Sequence, residues 1–244
     1  MKNKIPPLVQ EDYQAWEMYS HKPYRWLFNK LEVAMRQNLL AGPAGTSPPH
    51  DGLYISRPVY NPYGMGIGAK QFEFTSDMSH EMVNHAVVPP GHFWCEWLSG
   101  QHLSIDYQQF EDGSWGVSSV WEGKHFSQNN LTKFQSWTKL SPRKTPQPAS
   151  LPLELEFLTT FEIPFFNVEL INNNIIEVHL RPGHLNFETL PVGTTLYPVW
   201  QGEDSPEGEW VQERNSDISG YKADGNLTDI RDGFIVVRNP HQLD

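Results

Sequence analysis

The sequence predicts an α+β fold built mainly from antiparallel strands, on three observations. Twenty Pro and eighteen Gly among 244 residues punctuate the chain too often for an all-helical protein. Short apolar or alternating stretches recur between turn residues, as at Leu53–Tyr60, Gln71–Phe74, Phe93–Asp106 and Ile175–Leu180. One longer stretch, Tyr24–Leu40, instead places Trp26, Leu27, Leu31, Ala34, Met35 and Leu39 at helical spacing.

Nine Trp, nine Tyr and thirteen Phe supply apolar surface for a sizeable core. A net charge of −11 argues against nucleic acid as a partner, because phosphate affinity rests on clustered Lys and Arg. Cys95, the single cysteine, excludes an internal disulfide framework and a cysteine-cluster metal site. It lies in the most apolar part of the chain, which suits a packed thiol. The sequence shows no bilayer-spanning apolar run and no signal-peptide core, so a soluble, cytoplasmic protein without a membrane partner is expected.

In chain order, a short helix is expected around Asp12–Tyr19 within an irregular arm. The Tyr24–Leu40 helix should stop before Gly42-Pro43, where a Pro/Gly/Ser loop begins. Strands Leu53–Tyr60 and Gln71–Phe74 flank a glycine-rich stretch, and a short helix follows around Met78–Ala86. Phe93–Asp106 reads as strand, turn at Ser99-Gly100, and strand. Asp112-Gly113 turns the chain into Trp115–Trp121. Leu131–Leu140 reads as helical and Leu153–Thr160 as the end of a helix, with a mobile loop at Ser141–Pro152 between them. Phe161–Ile171 and Ile175–Leu180 pair through an Asn172-Asn173-Asn174 turn. Thr195–Trp200 and Gly233–Val237 are later strands, separated by acidic loops such as Gly202–Glu209.

Three of these stretches can carry chemistry. Tyr63-Gly-Met-Gly-Ile-Gly-Ala-Lys70 places Gly64, Gly66 and Gly68 between two strands, where backbone N–H groups can approach a phosphate, with Lys70 adding charge. It lacks the Gly-Lys-Ser/Thr ending of a Walker loop, and strand rather than helix follows it. In Phe166–Gly183, alternation puts Glu177, His179 and Arg181 on one face, with Asn167 and Glu169 sharing a face of the adjoining strand. Carboxylates converging there suit a divalent cation bound together with phosphates. The third stretch is the polar bend of Phe93–Asp106.

Together, and in this order, the stretches resemble the ATP-grasp superfamily, over roughly residues 28–185. Ile55-Ser-Arg-Pro and the glycine loop are similar to the family's first strand, Lys-Pro pair and phosphate-covering loop. Cys95-Glu-Trp-Leu-Ser-Gly-Gln-His is similar to the hinge between two lobes that sandwiches adenine. Ile176-Glu-Val-His-Leu-Arg-Pro-Gly resembles the closing Glu-x-Asn strand, and Phe28-Asn-Lys-Leu the helix start whose lysine reaches the nucleotide. D-Alanine–D-alanine ligase and related carboxylate–amine ligases are the members it resembles.

The resemblance implies an α+β ATP-grasp fold, two lobes with mainly antiparallel sheets and flanking helices. Residues 1–50 would form an arm and helix, 51–94 the small lobe, 95–190 the larger lobe, and 191–244 an extension packed on the larger lobe. It implies ATP and Mg2+ or Mn2+ as cofactors, a small-molecule or peptide substrate, and allows a homodimer. The reaction would join a carboxylate to an amine through an acyl phosphate. Lys30, Arg57, Gly64, Gly66, Gly68 and Lys70 would meet phosphates, and Glu96, Trp97, Leu98 and His102 the nucleoside. Glu177, His179, Glu169 and Asn167 would hold the metal, and Arg181 with Arg57 would act in catalysis. The chain departs from the family pattern at Arg57 for lysine, His102 for the ribose carboxylate, His179 for asparagine and Asn167 for an acidic ligand. The alternative is a degenerate member that binds nucleotide or a partner protein without ligation.

Overall fold

The computed structural model describes residues 12–19, 23–60, 68–126, 134–142, 155–156, 158, 163–183, 189–200, 204, 206–213 and 231–237. The chain opens with helix α1 (Asp12–Tyr19), a 3-10 turn (Arg25–Phe28) and helix α2 (Lys30–Arg36). Strands β1 (Ala41–Pro43), β2 (Gly52–Pro58), β3 (Lys70–Phe74) and β4 (His92–Glu96) follow, with helix α3 (Ser79–Val83) between the last two. These strands form a four-stranded antiparallel sheet in the order β1-β4-β2-β3.

The second sheet collects β5 (His102–Gln109), β6 (Trp115–His125), β7 (Phe134–Lys139), β8 (Phe165–Ile171), β9 (Asn174–His179), β10 (Thr195–Trp200), β11 (Glu209–Glu213) and β12 (Arg231–Val236). Its eight strands run in the order β11-β12-β10-β7-β6-β5-β8-β9 and are antiparallel throughout. Among the described residues no helix is long and apolar enough to cross a membrane.

Four expectations change. The stretch Phe93–Asp106 is no hairpin, because β4 belongs to the small sheet and β5 to the large one. The helix expected over Tyr24–Leu40 is interrupted at Asn29, whose extended backbone and side chain cap α2 by accepting a hydrogen bond from the Glu32 N–H at 3.1 Å. It ends before the Gly42-Pro43 stop, with Asn38 in the left-handed region (φ 62°), and Gly42-Pro43 lies in strand β1. Leu131–Leu140 is strand where it is described: Phe134–Lys139 pairs with β6 and β10, and a register shift that passes over Gln135 lets Phe134 and Trp137, three residues apart, share one apolar cluster. Strand β11 takes up the end of the expected acidic loop. Most of Leu153–Thr160 and of Ser141–Pro152 lies outside the described residues.

Alternation along the large sheet separates an apolar face from a polar one. Leu103, Ile105 and Tyr107 of β5, Phe166, Val168 and Leu170 of β8, and Ile175 and Val178 of β9 bury together with Ala15, Tyr19, Leu27 and Val33. A register shift between Glu169 and Leu170 pairs them with Glu177 and Ile175, passing over Ile176. That bulge lets Ile175 and Val178, three residues apart, share the core face. Ser104, Asp106, Asn167, Glu169, Glu177 and His179 therefore fall on the other face.

Helix α2 joins the two sheets. Ala34 packs with Phe93 and Cys95 of the small sheet. The Gln37 amide grips residue 175 of the large one, donating to the carbonyl at 2.8 Å and accepting from its N–H at 2.6 Å.

Candidate active site

A cavity of about 450 Å³ lies between the sheets, bounded by α2, β2, β4, the 97–100 segment, β5, β8 and β9. Aliphatic and aromatic groups, among them Ile55, Phe93, Trp97, Leu98 and Ile175, line much of it. Charged groups gather where the polar face of the large sheet meets α2 and β2.

The charges alternate in sign. The Lys30 ammonium lies 2.7 Å from Glu177 Oε1, and Arg57 Nη2 lies 3.9 Å from Oε2 of the same carboxylate. Arg57 also donates to the Ile176 carbonyl at 3.0 Å. Cross-strand pairing sets Glu169 opposite Glu177 and Asn167 opposite His179. Glu169 sits between two imidazoles, 3.5 Å from His102 Nε2 and 3.8 Å from His179 Nε2. Below them, Asp12 bonds His179 Nδ1 at 2.8 Å and Arg181 at 2.9 and 2.7 Å through both carboxylate oxygens.

These pairings decide protonation. Burial opposes the charged form of His179, but the Asp12 and Glu177 carboxylates outweigh it and push its pKa up to about 10. Burial also opposes the Asp12 and Glu169 carboxylates. His179 and Arg181 nevertheless hold Asp12 below its ordinary value, and His102 and His179 do so for Glu169. Burial draws the Lys30 ammonium down, with Glu177 restoring part of the loss.

The structure brings Lys30, Arg57, Glu96, Trp97, Leu98, His102, Glu169, Glu177, His179 and Arg181 to the lining of one cavity. Gly64 and Gly66 lie outside the described residues. Gly68 has φ +80°, and Lys70 is exposed on β3 and does not line the cavity, although the adjoining Ala69 does. Glu96 differs from its expected role, since its side chain accepts from the Leu40 N–H at 2.7 Å. The Glu96 and Trp97 N–H groups bond the carbonyls of Leu40 and Leu53.

Asn167 also departs from expectation. Its amide donates to Ser104 Oγ and Asp106 Oδ1, both at 2.9 Å, and it is absent from the cavity wall. Asp106 further accepts from Ser119 at 2.6 Å and from the Gly183 N–H at 2.7 Å. That network fixes the turn just after Arg181. Sequence reading missed Asp12, Asp106 and His125, which lines the cavity with its Nε2 3.2 Å from His102 Nδ1. The alternation of Ser104 and Asp106 with Leu103 and Ile105 was a signal for Asp106, but the contacts of Asp12 span 167 and 169 residues and leave no local trace.

Ligand atoms of Glu169, Glu177 and His179 lie within 4.8 Å of one another, close enough to share one cation. With Asp12 on Nδ1, His179 turns Nε2 toward both carboxylates, the orientation of a carboxylate–histidine–metal arrangement. Coordination requires that nitrogen to give up its proton, and an imidazole donor suits Mn2+ or another transition cation better than Mg2+.

No family model matches the sequence, and no curated protein matches it. Solved structures resemble the fold. The L-amino acid ligase from Bacillus licheniformis is 13% identical over 93% of this chain and 68% of its own, with a TM-score of 0.44. An Archaeoglobus fulgidus protein described as of the ATP-grasp superfamily is 13% identical over 88% of this chain and 65% of its own, at 0.43. Rhizobium etli pyruvate carboxylase is 12% identical over 88% of this chain and 24% of its own, at 0.52. At 12% identity the last of these, the one at 0.52, is a likeness of fold alone. The observed architecture, α+β with two antiparallel sheets and few helices, agrees with the ATP-grasp resemblance read from the sequence.

Proposed function

We propose that the cavity binds ATP and that the protein is an ATP-dependent ligase, joining a carboxylate to an amine on a small molecule or peptide. The observation that carries this reading is the meeting of Lys30 and Arg57 with Glu177 and Glu169 at one end of a largely apolar cavity between two sheets. A purine fits the apolar end, against Trp97, Leu98 and the aliphatic residues, and phosphates fit the charged one.

In this reading a carboxylate oxygen attacks the terminal phosphorus, ADP leaves, and an acyl phosphate forms. The amine then attacks the acyl carbon, phosphate departs with the former bonding electrons, and the amine proton passes to solvent. Lys30 and Arg57 neutralise phosphate oxygens in both steps, and Arg181, held rigid by Asp12, adds a fixed positive field. Glu169, Glu177 and His179 are the residues that would hold a divalent cation, which would supply further charge neutralisation on the phosphates.

A second reading, nucleotide binding without ligation, is favoured by one feature. The Arg181 guanidinium already spends two hydrogen bonds on Asp12 and a third on the Pro182 carbonyl at 2.8 Å. Calorimetry with ATP tests the shared claim. ADP release that depends on both an added carboxylate and an added amine separates the readings, and its absence across a broad substrate panel leaves the second. In the ligase reading, Arg57→Ala lowers kcat/KM at least about tenfold through lost phosphate neutralisation.

A further inference from the structure

Glu177 answers to two kinds of partner. Its Oε1 lies 2.7 Å from the Lys30 ammonium and 3.9 Å from His179 Nε2. Both side chains of the ion pair are nearly buried, at 6% and 12% exposure, so water screens little. A divalent cation on that oxygen and an ammonium on the same oxygen would stand within a few ångströms of each other, and two like charges in so dry a place repel strongly. The Lys30 backbone is fixed, with its N–H bonded to the Val59 carbonyl at 2.9 Å, but its four-carbon stem can turn. Asp12 meanwhile holds His179 with Nε2 toward the carboxylates.

Resting on the reading of the cavity as a nucleotide site, we propose that Lys30 is a built-in competitor of the cation. In the empty cavity its ammonium neutralises Glu177. Phosphate oxygens draw it away, leaving Glu169, Glu177 and His179 to a divalent transition cation such as Mn2+. Binding is then ordered, with the cation weak alone and strong after phosphate, and linkage makes the help mutual.

The test titrates the full chain with MnCl2 alone, following free Mn2+ by electron spin resonance. The wild-type chain should bind Mn2+ at least tenfold more weakly than Lys30→Met and Lys30→Gln do. Adding Glu177→Gln to Lys30→Gln should remove the gain. Lys30→Gln keeps a hydrogen-bond donor for Glu177, so it serves if Lys30→Met does not fold. Equal Mn2+ affinity in wild type and variant overturns the competition, and so does a gain that survives Glu177→Gln. Calorimetry of the wild type with ATP in EDTA is the separate arm. Failure to bind ATP there, with binding restored by excess Mn2+, overturns the ordering; failure both with and without Mn2+ overturns the nucleotide reading, whereas the Mn2+ comparison alone decides the competition at Glu177.

Discussion

Removing the Asp12 carboxylate would leave Arg181 and His179 facing each other, both almost without water. Breaking a buried pair by deleting one partner costs about 3–5 kcal/mol, because the survivor stays buried and uncompensated. Asp12→Ala should therefore lower unfolding free energy by about that amount in a urea titration, with Asp12→Asn losing less because its amide oxygen can still accept. At the opposite wall, burial, opposed in part by Arg57, pushes the Cys95 thiol up to about 11. At pH 8 the folded chain then carries on the order of one thiolate per thousand molecules, and a disulfide reagent should label it at least about tenfold more slowly than the urea-unfolded chain. The sign for stability follows from the unfolded value of 9.0. Below pH 9 both states keep the proton, and between 9 and 11 only the unfolded state releases it, so this contribution to stability falls as pH rises through that window.

Among the elements, the β8–β9 hairpin was the most legible in the sequence. A two-residue period is local, so Glu177, His179 and Glu169 could be assigned to shared faces without knowing what they faced. The bulge that keeps Ile175 and Val178 on one side left no mark of its own. The stretch that forms strand β7 reads as helix in the sequence because a short run such as Phe134–Lys139 carries too few apolar positions to distinguish the two periods. The division of Phe93–Asp106 between two sheets was invisible to local pattern, since each arm looks like a strand whichever neighbour it finds. Two predictions belong here. Phe166 is fully buried and stacked on Tyr107 at 5.1 Å between centroids, so Phe166→Ala should cost about 3–5 kcal/mol in the same titration. At Gly183 an added Cβ would lie 2.7 Å from both Asn167 Nδ2 and Asp106 Oδ1. Gly183→Ala should therefore disturb the turn after Arg181 and lower the melting temperature measured by circular dichroism, with little change in secondary structure.

For the molecule as a whole, the strands after residue 190 are part of the large sheet rather than a layer laid over it. β10 pairs with β7, and β12 and β11 continue from it. Leu196 and Phe234 are fully buried beside Trp121 and Trp137. A chain ending at residue 190 would bare that apolar cluster and an unpaired strand edge. It should appear as aggregate on size-exclusion chromatography where the full chain elutes as a defined species.

The short run from Trp97 to Gln101 carries the chain from one sheet to the other. Gly100, at φ +127°, has Asn172 so close that an added Cβ would sit 2.9 Å from its Cβ. With Gln37 bolting α2 to the far wall, the two sides are bound like the boards of a book, with a spine five residues long. What the pages can hold is governed by the length of that spine, so an insertion there would resize the aperture and shift Trp97 and Leu98, which line it.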